Sequence, residues 1–339
     1  MLEARGFSFS FLTEIDTQAH KDFVARNWPN AVTRSNYEYN KWKYGQRSDG
    51  SINLLLCKKG NEVVGQIGYI PARLIVDGKE HDCVWGCNFK VEDAYRELGI
   101  GAALEIYASN TFPIILGNTP SIDSIKYKRS LGYKMLEGPR VMMFPVKADH
   151  LLQLKGSRLP EAVLQVATAV ANPVLRRYNE LRLRANTGEW LQANEHSISQ
   201  RIVRRENETL LPHIKHDEAF LQWRLNVPAG LREKAKMYTS PDDDRSYAIT
   251  SIAGKVLNIY DYCFSDKTVL KSFLKQVSCT DGISTIRIQA NSNEEEVLLR
   301  ESGFIPFRSK AVITAYSRDG LFDKIDKMYV TGYDGDIDL

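Results

Sequence analysis

The spacing of apolar and polar residues predicts short strands and helices that alternate through the first part of the chain. Helices are predicted from Asp16 and at 36–44, 102–108 and 121–130. Alternating or continuous apolar runs predict strands at 7–11, 53–57, 63–71, 73–76, 84–91, 112–118 and 140–146. Turns at Gly60 and Asp77-Gly78 join two of these strand pairs. This order of elements predicts an α+β unit over residues 1–147.

The second half of the chain repeats the first. Three pairs of segments correspond: 220–224 with 39–43 as [YF]-x-x-W-[KR], 298–304 with 127–133, and a strand at 311–316 with 141–146. A second, duplicated unit is therefore predicted over 205–317. Its strand at 256–264 runs into a helix through Ser265-Asp266-Lys267, which contains no glycine.

The segment 148–204 differs from both units. Apolar residues recur from Val163 to Leu175 and arginines follow, with Pro160 suited to the first turn of a helix and Pro173 expected to kink or divide it. We interpret this segment as a helical linker that packs the units together. A basic helix lying on a membrane surface is the alternative, and the run is too short to span a bilayer.

Residues 318–339 form an acidic tail, which we expect to be solvated apart from an edge strand at 328–330. If that strand forms, Asp334 and Asp336 would be able to approach a cationic acceptor.

Composition and charge exclude several classes of function. The 339 residues are 43% hydrophobic and 26% charged, with a net charge of +3, which argues against nucleic acid as a partner and against membrane insertion. Five cysteines without CxxC spacing, and an N-terminus unlike a signal peptide, predict a cytoplasmic protein with reduced thiols. His213 and His216 are expected to be surface residues of one helix, so we predict no metal site.

The most specific motif is Arg96-Glu97-Leu98-Gly99-Ile100-Gly101, which stands between a predicted strand and a helix. Bare N–H groups at the helix start, with the positive end of the helix dipole, form a site for a pyrophosphate. The spacing matches neither a dinucleotide fingerprint nor a P-loop. A strand, R-x-x-G-x-G and a helix are followed by a strand, a helix ending in Gly132-Tyr133 and another strand. This order of elements resembles that of the GNAT N-acetyltransferases.

The resemblance implies two tandem GNAT-like units, each a mostly antiparallel mixed sheet flanked by helices, and an acyl-CoA co-substrate. The strand before the glycine loop would diverge from its parallel neighbour, and the pantetheine would enter the gap. The residues implied for acyl-CoA are Phe89, Val91, Arg96, Leu98, Gly99, Ile100, Gly101, Ala102, Ala103 and Asn118. The second unit, which has Asp266 where the glycine loop would be, is expected to bind no acyl-CoA.

The catalytic groups are predicted less directly. Many GNAT enzymes have an acidic tyrosine four residues before the glycine that follows the second helix, and Lys128 stands there in this chain. Tyr127 is the candidate acid, one residue away. Glu80, His81 and Asp82 are candidate bases at the start of the diverging strand, unless the amine attacks in its neutral form. Cys87 is interpreted as a buried apolar residue rather than a nucleophile.

For the acceptor, a GNAT pair with one glycine loop and the repeated aromatic-basic motif resembles acyltransferases of bacterial surface-polysaccharide synthesis. That resemblance implies transfer of an acetyl or 3-hydroxybutanoyl group to the amine of a dTDP- or UDP-linked amino-deoxysugar. The implied acceptor residues are Arg34, Trp42, Lys43, Tyr44, Arg73, Trp85, Trp223 and Arg224. The alternatives are an aminoglycoside, polyamine or protein lysine as acceptor, or an acyl-CoA-binding protein without activity. A homodimer is compatible with each of these.

Overall fold

The structure is a computed structural model that describes residues 2–118, 120–148, 161–184, 188–228 and 235–335. Its strands are β1 Phe7–Leu12, β2 Ile52–Lys59, β3 Glu62–Val76, β4 Lys79–Val91, β5 Ile114–Asn118, β6 Lys134–Pro145, β7 Leu191–Gln192, β8 His213–Ile214, β9 Lys236–Thr239, β10 Tyr247–Ala253, β11 Val256–Cys263, β12 Thr285–Ala290 and β13 Ile305–Ser317. Its helices are α1 Thr17–Asn27, α2 Tyr37–Tyr44, α3 Ile100–Thr111, α4 Ile122–Ser130, α5 Glu161–Arg182, α6 Glu195–Glu208, α7 Glu218–Leu225, α8 Lys267–Ser278 and α9 Asn293–Ser302. The predicted α+β fold class is confirmed.

The strands of the described residues form one continuous mixed sheet. Its order is β1-β2-β3-β4-β5-β13-β6-β12-β11-β10-β9-β7, and β8 pairs with β3 off this path. Pairing is antiparallel except for β4 with β5 and β11 with β12. These two parallel pairs are equivalent in the repeat, because each encloses a crossover helix, α3 or α8.

The two halves exchange their last strands. The first half's β6 pairs with β12 along Thr285 to Ala290, while the second half's β13 pairs with β5 and fills the place beside it. Neither half therefore completes its sheet alone. The sequence repeat predicted the strands but not the exchange, because a strand's apolar pattern is satisfied equally by either partner. The division into units at residues 147 and 205 stays a prediction.

The sheet of the first half buries a core on each face. One face carries Cys83, Trp85 and Cys87 of β4 with Tyr44 of α2. The opposite face carries Val84 and Val91 with Ile100 and Leu104 of α3, among others. We refer to these as the α2 face and the α3 face. The alternation along β4 follows from the two-residue period of a strand.

The segment between the predicted units contains one long helix, α5. Helix α5 runs as one helix through Pro173, so the proline does not divide it; residues 149–160 lie outside the described residues. No helix in the described part of the chain combines the length and apolar character needed to cross a membrane.

Candidate active site

The glycine loop lies where β4 passes into α3. A 3₁₀ turn at Asp93–Leu98 ends on Gly99, whose φ of 77° is left-handed, and α3 begins at the next residue. No side chain in the described parts of the chain caps this helix start. Its first-turn N–H groups therefore face outward with the positive end of the helix dipole, as an anion site requires.

Close packing holds this loop against β4. A Cβ on Gly101 would lie 2.9 Å from Cζ of Phe89, so Phe89 rests directly on the helix start. Val91 and Ile100 are buried beneath the loop. Ala102 and Ala103 are half-buried, and Leu98 is exposed. Arg96 is an exposed cation beside the loop, paired with Asp93 at 2.8 Å. The structure thus brings the predicted loop residues together with Phe89 and Val91.

Beyond the loop, β4 and β5 form a fork. They pair only at Val84 with Ile115, Trp85 with Leu116 and Gly86 with Gly117. The remainder of β4, from Cys87 to Val91, has no partner on the β5 side. Asn118 ends β5 at the same fork. A gap between two parallel strands exposes main-chain groups that an extended ligand with amide groups can pair with.

The predicted acid lies close to this fork. The ring of Tyr127 in α4 is 6.3 Å from that of Phe89, and its hydroxyl is buried with no hydrogen-bond partner meeting distance and angle criteria among the described residues. Burial raises the pKa of Tyr127, and the charge of Glu105 raises it further. The nearby hydroxyl of Ser124 lowers the pKa in part. The phenol therefore holds its proton at neutral pH, as a general acid must.

Lys128, which occupies the usual tyrosine position, has a different role. Its ammonium group lies 2.6 Å from the buried Glu105, which also accepts a hydrogen bond of 2.6 Å from Tyr133. The same ammonium group lies over the Tyr133 ring at 4.2 Å. A buried ion pair of this kind ties α4 to α3 next to Tyr127.

The predicted bases are not brought to the fork. His81 and Asp82 pair with Leu74 and Arg73 near the start of β4. Asp82 stands four residues before Gly86, a distance of about 13 Å along a strand at about 3.3 Å per residue. Glu80 is paired with Arg73 at 3.1 Å and with Lys215 at 2.7 Å. These three residues therefore lie away from the fork, and the geometry does not support them as bases.

The aromatic-basic motif joins the two halves. The indole N–H of Trp42 donates to the carbonyl of Trp223 at 2.8 Å, and that of Trp223 donates to the carbonyl of Trp42 at 2.7 Å. The rings stack with centroids 5.6 Å apart. Such reciprocal contacts are characteristic of a two-fold relation between equivalent segments. The repeat of the motif therefore has a structural explanation.

The other predicted acceptor residues are dispersed. Lys43 and Tyr44 are buried at the end of α2, with Lys43 over the rings of Tyr39 and Tyr44. Arg73 pairs with Glu80 and Asp217, away from the fork. Trp85 is buried on the α2 face, and its indole N–H has no described partner. Arg34 lies over the ring of Trp28 at 4.8 Å.

The second half has an equivalent fork that is filled by the chain itself. Strands β11 and β12 pair only from Val256 to Asn258 of β11. The tail passes beyond this point: the Gly332 N–H donates to the Tyr260 carbonyl at 2.6 Å, and the Val330 N–H donates to Asn291 Oδ1 at 2.8 Å. The expectation of a solvated tail is therefore wrong for residues 331–335. Residues 328–330, predicted as an edge strand, instead make an isolated bridge from Tyr329 to His213, and all of residues 328–335 are buried.

The helix start of the second half is also occupied. Asp266 caps α8, and its carboxylate accepts hydrogen bonds from the N–H groups of Thr268 and Val269 at 2.6 and 2.9 Å. This carboxylate takes the position at which a phosphate would bind a bare helix start, and it would repel one.

Arg224 and His216 anchor the tail. Arg224 donates to the carbonyl groups of Tyr333 and Gly335. His216 Nε2 lies 2.7 Å from Asp334, and its other side faces Glu206 and Asp261. The prediction that His213 and His216 are surface residues of one helix is wrong, since both are buried and His213 belongs to β8. Asp336 lies outside the described residues.

No family model and no curated protein matches the sequence. Solved structures do match. A GCN5-related N-acetyltransferase from Kribbella flavida has a TM-score of 0.57 at 15% identity, over 93% of this chain and 72% of its own. Saccharomyces cerevisiae N-myristoyltransferase with bound myristoyl-CoA has a TM-score of 0.57 at 12% identity, over 92% and 79%.

A putative acetyltransferase from Pyrococcus horikoshii covers nearly the whole chain, with a TM-score of 0.55 at 12% identity, over 97% of this chain and 94% of its own. Identities this low establish the fold alone. The fold is that of the GCN5-related N-acetyltransferases.

Proposed function

We propose that the chain is an N-acyltransferase that moves an acyl group from acyl-CoA to a primary amine. The observation that carries this proposal is the uncapped glycine loop at Gly99 beside the fork of β4 and β5. A loop that binds a pyrophosphate and a fork that accepts an amide-containing arm together suit the two ends of coenzyme A. The fold supports the same assignment.

The reaction we infer is direct transfer in a ternary complex. The amine nitrogen attacks the thioester carbon, the C–N bond forms and the C–S bond breaks. The leaving thiolate takes the phenol proton of Tyr127, and water accepts the proton that the amine loses and restores that of the phenol. Positioning both partners at the fork supplies most of the rate enhancement. We expect Cys87→Ala to retain turnover, and a stable acyl adduct on the protein would contradict direct transfer.

One donor site per chain follows from the contrast between the halves. The first half has an uncapped helix start and an open fork. In the second half, Asp266 caps the helix and the tail lies in the fork. The second half then serves to complete the sheet through β13 and to enclose the acceptor.

For the acceptor, we propose the amine of a dTDP- or UDP-linked amino-deoxysugar, with an acetyl or 3-hydroxybutanoyl group transferred. Support comes from the resemblance that spans both halves and from Arg34 over Trp28, a cationic aromatic pair suited to a nucleotide. Because Trp42 and Trp223 bind each other, the repeated motif itself no longer argues for sugar stacking.

The test is release of free CoA thiol with a panel of dTDP- and UDP-amino sugars, beside aminoglycosides, polyamines and peptides. We expect turnover with a nucleotide sugar, and Arg34→Ala should raise the KM for that sugar more than the KM for acyl-CoA. Turnover of polyamines or peptides alone would overturn the acceptor proposal and retain the acyltransferase. A thermal shift with acyl-CoA but no turnover would indicate a binding protein.

A further inference from the structure

A β-bulge in β4 redirects one polar side chain toward the α2 face. Between the pairs Gly68–Cys87 and Gln66–Lys90, β4 advances by three residues while β3 advances by two. Asn88 is the extra residue, with a left-handed φ of 51°. Without the bulge, alternation from Cys87 would turn residue 88 toward the α3 face. With it, Asn88 contacts Tyr44 on the α2 face, and Phe89 turns to the α3 helix start.

Asn88 is held from two directions. Its amide nitrogen donates to the hydroxyl of Tyr44 at 2.7 Å. Its main-chain carbonyl accepts a hydrogen bond from Gln66 at 3.3 Å, and Gln66 in turn bonds the buried His20 at 3.0 Å. Burial lowers the pKa of His20 to about 4, so this histidine is neutral and donates from Nε2 to the Gln66 oxygen.

The unused polar atom is the side-chain oxygen of Asn88. It has no hydrogen-bond partner within the described parts of the chain, and Asn88 is only half-buried. Asn88 stands two residues beyond Gly86, the last residue of β4 that pairs with β5. The oxygen therefore lies on the α2 face of the sheet at the mouth of the fork. A left-handed asparagine in a bulge is a costly backbone feature of the kind that concentrates at functional sites.

We propose that Asn88 binds the reacting amine of the acceptor, with its side-chain oxygen accepting a hydrogen bond from the amine N–H. The inference rests on the proposed function and adds a residue to it. An amide oxygen orients the amine and stabilises its protonated form less than a charged acceptor would. A carboxylate at this position would favour the ammonium ion, which has no lone pair for attack. Tyr44 and Gln66 are then positioning residues for Asn88.

The purely structural explanation is that asparagine is present because it tolerates a left-handed φ. Asn88→Gly distinguishes this explanation from amine binding, since glycine adopts the left-handed conformation without strain and the substitution removes only the side chain. We expect Asn88→Gly to raise the KM for the amine at least tenfold, with acyl-CoA affinity in calorimetry and the melting temperature little changed. Tyr44→Phe should give a smaller change in the same direction.

Asn88→Asp supplies a readout that a structural role would not produce. We expect the pH dependence of kcat/KM for the amine to shift to higher pH, because the carboxylate holds the amine protonated. A wild-type chain that acylates no amine of the panel overturns the proposed function and this inference with it. Wild-type turnover together with an unchanged amine KM in Asn88→Gly overturns this inference alone.

Discussion

At the scale of the residue, position relative to the fork decides what a polar group can do. Tyr127 and Lys128 are neighbours on α4, yet the ammonium group of Lys128 is paired with Glu105, whereas the hydroxyl of Tyr127 makes no hydrogen bond of good geometry within the described parts of the chain. The substitution of lysine at the usual tyrosine position thus leaves a phenol available one residue away. The two side chains project about 100° apart around the axis of α4, so Lys128 and Tyr127 have different surroundings.

Tyr127→Phe tests this assignment. Removing a buried hydroxyl that makes no hydrogen bond of good geometry among the described residues should change stability little. Loss of a general acid should lower kcat by about tenfold to a hundredfold, with acyl-CoA affinity retained. The measurements are a thermal melt, calorimetry with CoA and steady-state kinetics. Tyr107→Phe, which removes a hydroxyl from a half-exposed ring on α3, is the control; equal kcat in both variants would exclude Tyr127 as the acid.

Asn88 shows why part of the site could not be predicted. Strand periodicity places every residue of β4 on a face only if no residue is inserted, and a bulge reverses all faces beyond it. Asparagine within an apolar strand, where it is depleted, was the available signal. The repeated motif was ambiguous for another reason, since aromatic and basic residues in a repeat describe an internal two-fold contact as well as they describe a ligand site.

At the scale of the element, the two crossover helices show how one residue at the helix start changes an anion site. The loop before α3 was predictable, because glycine spacing fixes backbone geometry locally. The loop before α8 has the same topology but carries Asp266 as a cap. A dipole that binds a phosphate in one half therefore binds the chain's own carboxylate in the other.

Gly101→Asp should make the start of α3 as unfavourable for a phosphate as the start of α8. A carboxylate about 5 Å from a bound phosphate costs about 3 kcal/mol at an effective dielectric constant of 20, roughly a hundredfold in affinity. Gly101→Ala is the matched control, because it brings the same Cβ against Phe89 without the charge. Calorimetry should give one CoA site in the wild type, weaker binding in the alanine variant and much weaker binding in the aspartate variant. Two CoA sites, or equal affinities for both variants, would contradict the loop assignment.

At the scale of the whole molecule, strand exchange makes the halves interdependent. The fold class was predictable from the order of elements, because each element's pattern is local. The exchange of β6 and β13 was not, since it depends on which partner lies nearest in three dimensions. The same holds for the tail, whose acidic composition predicted solvation while Val330 and Tyr333 are buried in the second half.

A shared sheet should unfold in one step. Because β13 completes the first half and β6 the second, neither core can survive the loss of the other. Differential scanning calorimetry of the full chain should give a single transition, with acyl-CoA raising its midpoint although the donor site lies in one half. Two resolved transitions, of which only one responds to acyl-CoA, would show that the halves are independent.

The buried contact between His216 and the tail should make stability depend on pH. Burial alone lowers the pKa of His216, but the carboxylates of Asp334, then Glu206 and Asp261, outweigh it and raise the pKa above its ordinary value of 6.5. Arg205 is the nearby cation and is paired with Asp261, while burial lowers the pKa of the neighbouring His213 and disfavours its charged form. A raised pKa in the folded state stabilises below pH 6.5, and that contribution is lost as pH rises through the folded value.

Asp334→Asn removes the main partner of His216 while keeping an oxygen that can accept from Thr331. Breaking a buried ion pair costs about 3–5 kcal/mol, so the melting temperature at pH 6 should fall by about 5 °C or more. The loss should shrink as pH rises through the raised pKa of His216, so the variant's stability should depend less on pH than that of the wild type. Asp326→Asn, at an exposed tail position, should leave the wild-type profile intact. A loss that is equal across the pH range would mean that the charge of His216 does not contribute to holding the tail.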